Sequence, residues 1–244
     1  FVASELGRFE VGRQDGPADV LAFHAPVIAL GQVRGDASRY GAAQALLSAL
    51  DTRDAFKLIY LSPPINGIRA GISWSPKFQQ NENAANPRAR TIVRDAIELG
   101  VQFQQPVGDW IVGLSGGYAT GDADPITRRA DLNSWSVGTE LRRGPLRLGG
   151  AYVRRGDSNR LDRNFNQWEI NGGISWVEDK WGAAFSAATT QARTQSSRSF
   201  GVGGYYALSR NLQLRSDLVQ YRERRLGQPT VNGVVAILEL QFAI

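Results

Sequence analysis

Residues 67–75 set Ile68, Ala70, Ile72 and Trp74 on one side of an extended chain and Arg69, Gly71, Ser73 and Ser75 on the other. A side-chain period of two marks a strand whose two faces meet different surroundings. The same alternation runs through 93–104, where Val93, Ile97, Leu99, Val101 and Phe103 oppose Arg94, Glu98, Gly100, Gln102 and Gln104. It returns in 110–119, 134–142, 146–155, 168–177, 181–190, 200–209, 212–221 and 233–243. With 7–14 and 56–61 added, the pattern predicts twelve strands, mostly 9 to 12 residues long. A tilted strand of that length crosses a bilayer.

Two further patterns separate a membrane barrel from a soluble sandwich, whose strands also alternate. The polar face is rich in Gly, Ser and Ala, with isolated Arg and Glu among them, which suits a crowded, water-filled lumen. Aromatics gather near strand ends (Trp74, Trp110, Tyr118, Trp135, Tyr152, Trp168, Trp176, Trp181 and Tyr206), where interfacial girdles belong. Connections also alternate in length. The segments 62–66, 105–109, 143–145, 178–180 and 209–211 are short and built from turn residues, whereas 15–55, 77–90, 121–133, 156–167, 191–199 and 223–232 are long. Short periplasmic turns and longer external loops are the habit of outer-membrane barrels. The expected fold is therefore all-β: one transmembrane, antiparallel, up-and-down β-barrel domain over 1–244.

Composition changes this picture little. Mean hydropathy is −0.28, as expected when apolar and polar residues alternate, and no apolar run approaches the roughly 18 residues of a membrane helix. The 244 residues include no cysteine and one histidine, His24. Disulfides, thiolate metal sites and multi-histidine metal sites are thereby excluded. His24 lies in Leu21-Ala22-Phe23-His24-Ala25-Pro26 without a nucleophile motif and reads as a packed loop residue, so the chain is not expected to be an enzyme or to carry a cofactor. The net charge of +5 comes from basic residues spread singly, which argues against nucleic acid as a partner. The absence of an initiator Met and of a signal peptide suggests a processed or truncated chain.

Several segments resemble the general diffusion porins of Gram-negative bacteria. Phe1-Val2 followed by Leu6-Gly7-Arg8-Phe9-Glu10-Val11-Gly12-Arg13-Gln14-Asp15-Gly16 is similar to the stretch before that family's constriction loop. Tyr60-Leu61-Ser62-Pro63, then Gly67 and a new strand, is similar to the hairpin after it. The last segment places Val234, Ala236, Leu238, Leu240, Phe242 and Ile244 at every second position, like the family's closing strand; Ile244 stands where such barrels usually end in Phe. The resemblance implies sixteen strands, of which twelve are visible here, and a homotrimer in the bacterial outer membrane passing ions and small polar solutes. Phe1-Val2 would be the tail of a strand and Ala3-Ser4-Glu5 the turn after it. A complete twelve-stranded barrel is the alternative architecture. A structural or adhesive barrel whose external loops bind a partner is the alternative function.

The resemblance also implies that loop 15–55 folds into the pore. The residues point the same way, because forty residues without strand alternation are usually functional. Phe23, Val27, Ile28, Leu30 and the helix-prone run 42–50 are too apolar to project into water, which points to packing on the inner barrel wall, with a packed external cap as the alternative. A constriction selects by diameter and by the charges that line it. The candidate lining residues are Asp15, Asp19, Arg34, Asp36 and Arg39 from the loop, with Lys57, Arg69, Arg94, Glu98, Arg142 and Arg147 from the wall. Strand parity adds Arg8, Glu10, Glu140, Arg155, Glu169, Arg215, Asp217 and Glu239 to that wall, making eight basic and six acidic wall positions in all.

Overall fold

A computed structural model describes residues 1–28, 47–79 and 91–242. They form a single sheet of thirteen strands whose order follows the chain. The strands are β1 (Val2–Ser4), β2 (Gly7–Arg13), β3 (Phe56–Leu61), β4 (Ile68–Gln79), β5 (Thr91–Val107), β6 (Trp110–Ala123) and β7 (Leu132–Arg143). β8 (Leu146–Gly156), β9 (Gln167–Val177), β10 (Trp181–Gln191), β11 (Gln195–Ser209), β12 (Leu212–Arg225) and β13 (Val231–Phe242) complete it. Neighbours pair antiparallel throughout, and β1 and β13 each have one neighbour.

Twelve of these strands are those the alternation predicts. The thirteenth, β1, takes in Ala3 and Ser4, which pair with Arg8 and Gly7. The turn expected at Ala3-Ser4-Glu5 falls instead at Glu5-Leu6. Tight turns join strands at one end of the sheet. Ile65 and Ile68 pair across Asn66-Gly67, whose positive φ of 50° and 82° matches the twist of the strands they join. Gly108-Asp109 links Val107 to its partner Trp110 in the same tight way. The connections at the opposite end are mostly longer, with one exception. Residues 191–199, expected as a long loop, are a three-residue connection over 192–194, because β10 and β11 extend to Gln191 and Gln195.

The two faces are sorted inside-out relative to a soluble protein. Ser134 and Ser186 are fully buried, while Ile174 is 43% and Leu238 72% exposed. One face thus presents Phe9, Leu58, Ile72, Leu99, Leu114, Val137, Phe185, Val202 and Leu218 outward. In water so large a contiguous apolar surface would be untenable, whereas in a bilayer it is the solvated face. On β9 the outward residues Trp168 and Trp176 stand eight positions apart. That is about 26 Å along the strand, near the roughly 25 Å apolar band of such barrels. Trp135, Tyr152 and Trp168 form a ladder, with ring centroids 5.3 Å and 6.2 Å apart.

Parity fails at one place. β5 carries a bulge between Arg94 and Ile97, with Asp95 at φ 47°. An extra residue reverses which side chains face inward. Val93, expected on the apolar outer face, is fully buried on the inner one beside Ala96, Ala119 and Leu132. Arg94, expected in the pore, is turned to the outer side, where its Nη2 lies 2.9 Å from Asp124 Oδ2.

Candidate functional site

The described parts of the 15–55 connection lie on the inner face as a strap. Gly16-Pro17 starts a single helical turn, α1 (Pro17–Val20), with proline in the first turn where its missing N–H is harmless. Leu21 then packs on Ile59 and Leu61 of β3. From there the chain crosses the wall sideways, strand by strand. Phe23 N donates to Ser115 Oγ of β6 at 2.8 Å, and Ala25 N donates to Asn171 Oδ1 of β9 at 2.8 Å. Gln102 Nε2 of β5 donates to the Leu21 carbonyl at 3.3 Å.

Inner-face glycines give this backbone its room. A β-carbon at Gly100 would come within 2.1 Å of the Pro17 carbonyl oxygen, and one at Gly138 within 1.9 Å of the Phe23 carbonyl oxygen. Gly117 and Gly149 meet the Ala18 and His24 carbonyls in the same manner, and a β-carbon at Gly173 would come within 3.2 Å of Pro26 Cδ. The small residues on the polar faces therefore form, in part, a track for the strap. His24 is the packed loop residue the sequence suggests; its Nδ1 lies 2.8 Å from the Ala25 carbonyl.

The returning limb is equally fixed. Leu47 packs with Val27 and with Ala188 of β10. Leu50 N donates to Ser134 Oγ at 2.8 Å, and its side chain joins Val93, Ala96, Ala119 and Leu132. Ser48 Oγ donates to Asp19 Oδ1, tying the two limbs together. These tethers hold Leu47–Leu50 as bends and irregular chain, so the helix expected over 42–50 does not include them. Residues 42–46, like Arg34, Asp36 and Arg39, lie outside the described residues.

Beneath the strap is a buried ionic knot. Lys57 of β3 and Glu98 of β5 are 3.5 Å apart, with side chains 0% and 1% exposed. Thr52 donates to Glu98 Oε1 through its hydroxyl at 2.6 Å and its N–H at 3.2 Å. Lys57 Nζ donates to the carbonyls of Gln14, at 3.0 Å, and Arg53. Lys57 and Glu98 are thus on the inner wall, as parity predicts, but they hold the strap and do not face open water. Burial of a carboxylate and an ammonium group is offset by such bonds, although Glu98 Oε2 itself has no hydrogen-bond partner among the described residues. Asp51 lies in the same knot. Its own burial first, then the charges of Glu98 and Asp19, push its carboxyl up to about 7, against the pull of Lys57 and the Arg53 N–H.

Other sequence-derived candidates spread along the wall. Asp15 is exposed and Asp19 half-buried in the strap. Arg69 is half-buried on β4. Arg142 and Arg147 face one another across β7 and β8, and Arg142 lies 2.9 Å from Glu140. Parity could not foresee the company of Arg155. At the long-connection end Arg155 and Arg160 gather with Arg53 and Arg129, and Glu169 is the acid among them. Burial, then the charge of Arg129, lowers the Arg160 guanidinium. Arg129 Nη1 donates to the Asn159 carbonyl at 2.6 Å, and Arg160 stacks on Phe165 at 4.3 Å. The result is a patch of four guanidinium groups around one carboxylate.

The sequence matches the protein family described as Gram-negative porin over residues 1–226. No curated protein matches it significantly. Among solved structures, a porin refined at 1.8 Å superposes with a TM-score of 0.65 at 16% identity, covering 98% of this chain and 78% of that one. The anion-selective porin from Comamonas acidovorans gives a TM-score of 0.61 at 15% identity, covering 97% and 75%. The outer membrane channel DcaP of Acinetobacter baumannii gives 0.61 at 9% identity, covering 96% and 71%. At these identities the likeness to the solved structures is one of fold.

Proposed function

The chain belongs to the Gram-negative porin family, and on that footing we propose that the strap Gly16–Ile28 with Leu47–Ala55 narrows its channel. The protein is an outer-membrane channel for diffusion of small hydrophilic solutes. One observation carries the proposal about the strap: from Pro17 to Pro26 its backbone lies against the inner faces of β4 through β9. A segment so placed takes up lumen cross-section and adds Asp15 and Asp19 to a lumen whose wall carries Arg69, Arg142 and Arg147. Opposed charges across a narrow aqueous passage favour polar solutes and select among ions.

Planar-bilayer conductance and liposome swelling test this reading. Replacing Ala18–Pro26 by a Gly/Ser linker of equal length removes the strap's apolar and hydrogen-bonding anchors. Conductance and solute size cut-off should both rise while the barrel still assembles. Wild-type values in the variant would place the restriction elsewhere. We further propose the homotrimer that the family resemblance implies, which cross-linking in mild detergent tests; a protein that stays a single protomer overturns it.

A further inference from the structure

β4 and β5 exchange their faces together near the long-connection end. Ser75 and Ala96 are cross-strand partners, and both are buried on the inner face. Lys77 and Arg94, partners further along, are both exposed. In strict alternation Ser75 and Lys77 would share a face, as would Arg94 and Ala96. Beyond them Phe78 pairs with Val93, and both belong with Ala96, Ala119 and Leu132 in the cluster that receives Leu50. Continued alternation from Ile72 and Trp74 would have sent Phe78 to the lipid side, and Val93 with it. The reversal thus brings two apolar side chains in and sends two cations out.

One residue on each of three adjacent strands fits this reversal. Asp95 holds φ 47°, in the left-handed region that Asp enters far more readily than a β-branched residue does. Pro76, between Ser75 and Lys77 on β4, has no N–H to withdraw from the ladder, and prolines within sheets sit at edges or bulges. Beside it the Phe56 carbonyl accepts from Ser75 Oγ at 2.9 Å. On β6, Gly121 faces both Asp95 and Ala96, since Arg94 pairs with Asp122 and Ile97 with Thr120. A β-carbon at Gly121 would come within 2.7 Å of Val93 Cγ1 and 2.9 Å of Ala96 Cα. The expelled guanidinium of Arg94 is met by Asp124 at 2.9 Å.

We propose that this reversal is a positioning element of the channel, with Asp95 as its determining residue. It makes an apolar seat for Leu50 in a wall of mostly small and polar side chains, and so fixes the returning limb of the strap. Leu50 and Thr52 both attach to β5, the first at Val93 and Ala96 and the second at Glu98. The bulge therefore sets the spacing between the two attachments. Were β5 regular, Arg94 would face inward beneath Leu50, where a guanidinium desolvated against leucine is costly. The proposal rests on the reading that the strap narrows the channel.

The test uses the full chain in planar bilayers. Asp95→Ile disfavours positive φ while its side chain suits the lipid side, so the strand should revert to plain alternation. Single-channel conductance and solute size cut-off should rise as far as they do in Leu50→Ser. The double variant should rise no further, because both changes remove the same contact. Asp95→Gly, which accepts positive φ, should conduct like the wild type. Val93→Cys reports the face: its thiol should react with a lipid-soluble maleimide only in combination with Asp95→Ile. Wild-type conductance in Asp95→Ile overturns the proposal, whether or not that thiol becomes reactive. Wild-type conductance in Leu50→Ser, which leaves the sheet untouched, overturns it even where the Asp95→Ile barrel fails to assemble. If the Gly/Ser linker across Ala18–Pro26 raises conductance and these variants do not, the strap reading stands and the seat alone falls. If the linker also has no effect, the strap reading itself fails.

Discussion

Lys57 Nζ and Glu98 Oε1 lie 3.5 Å apart on β3 and β5, and neither side chain reaches solvent. Each also holds part of the strap, Lys57 through the Gln14 and Arg53 carbonyls and Glu98 through Thr52. The pair thus joins the two ends of a forty-residue connection to the wall. Removing one partner leaves the other charged and buried, which costs about 3–5 kcal/mol. Lys57→Met should therefore loosen the strap, giving noisier and larger single-channel currents with the barrel still heat-resistant. Quiet wild-type currents would show that the pair does not hold it.

Asp51 makes that attachment pH-dependent. Unfolded, its carboxyl titrates near 3.8; folded, burial, Glu98 and Asp19 move it to about 7. The folded state thus keeps a proton that the unfolded state releases. This stabilising contribution is complete below about pH 4 and disappears as pH rises through about 7. The thermal midpoint should fall between about pH 4 and about pH 8, which enclose that window. Asp51→Asn, which has no proton to lose, should flatten this segment of the curve.

The glycine track gives a steric test. At Gly138 a leucine side chain cannot coexist with the Phe23 carbonyl, which a β-carbon alone would approach to 1.9 Å. Gly138→Leu should displace the strap and raise conductance. Gly172→Ala, on the outer side and with no neighbour nearer than 3.8 Å, should conduct like the wild type. Equal behaviour of the two variants would rule out the track.

Sidedness follows from parity. Arg147 is exposed on the inner face of β8, and Ile174 is exposed on the outer face of β9. A cysteine at 147 should react with a membrane-impermeant maleimide in proteoliposomes, and one at 174 only with a lipid-soluble reagent. Ile174→Arg, between the Trp168 and Trp176 girdles, should cost about 2–4 kcal/mol if it lies near the bilayer midplane. Equal labelling of both cysteines by the impermeant reagent would contradict the assignment of faces.

The Arg53–Arg129–Arg155–Arg160 patch predicts an effect on ion choice. Fixed charge sets the local concentration of counter-ions. Arg155→Gln with Arg160→Gln should move the reversal potential in a salt gradient toward cation preference. An unmoved potential would place the patch off the ion path.

The strands, their two faces and the inward course of the loop were legible in the order of residues alone. Strand residues report their surroundings at each second position, so Ile68, Ile72 and Trp74 declare the lipid side without any tertiary information. Asn66-Gly67 likewise declares its turn, because few residue pairs accept positive φ twice in succession. Tertiary structure decided whatever depends on residues far apart in the chain. The bulge at Asp95 reversed Val93 and Arg94, and nothing in the local alternation marks where an unpaired residue will be tolerated. Lys57 and Glu98 have the parity of pore residues; only the strap lying over them makes them a buried pair. The helix-prone character of 42–50 failed at Leu47–Leu50, where bonds to Ser134 and Asp19 from distant parts of the chain outweigh local propensity, which is worth only tenths of a kcal/mol per residue. The outer arginines illustrate the same division: each reads locally as one solvated charge, and only the register sets Arg198 directly against Arg222.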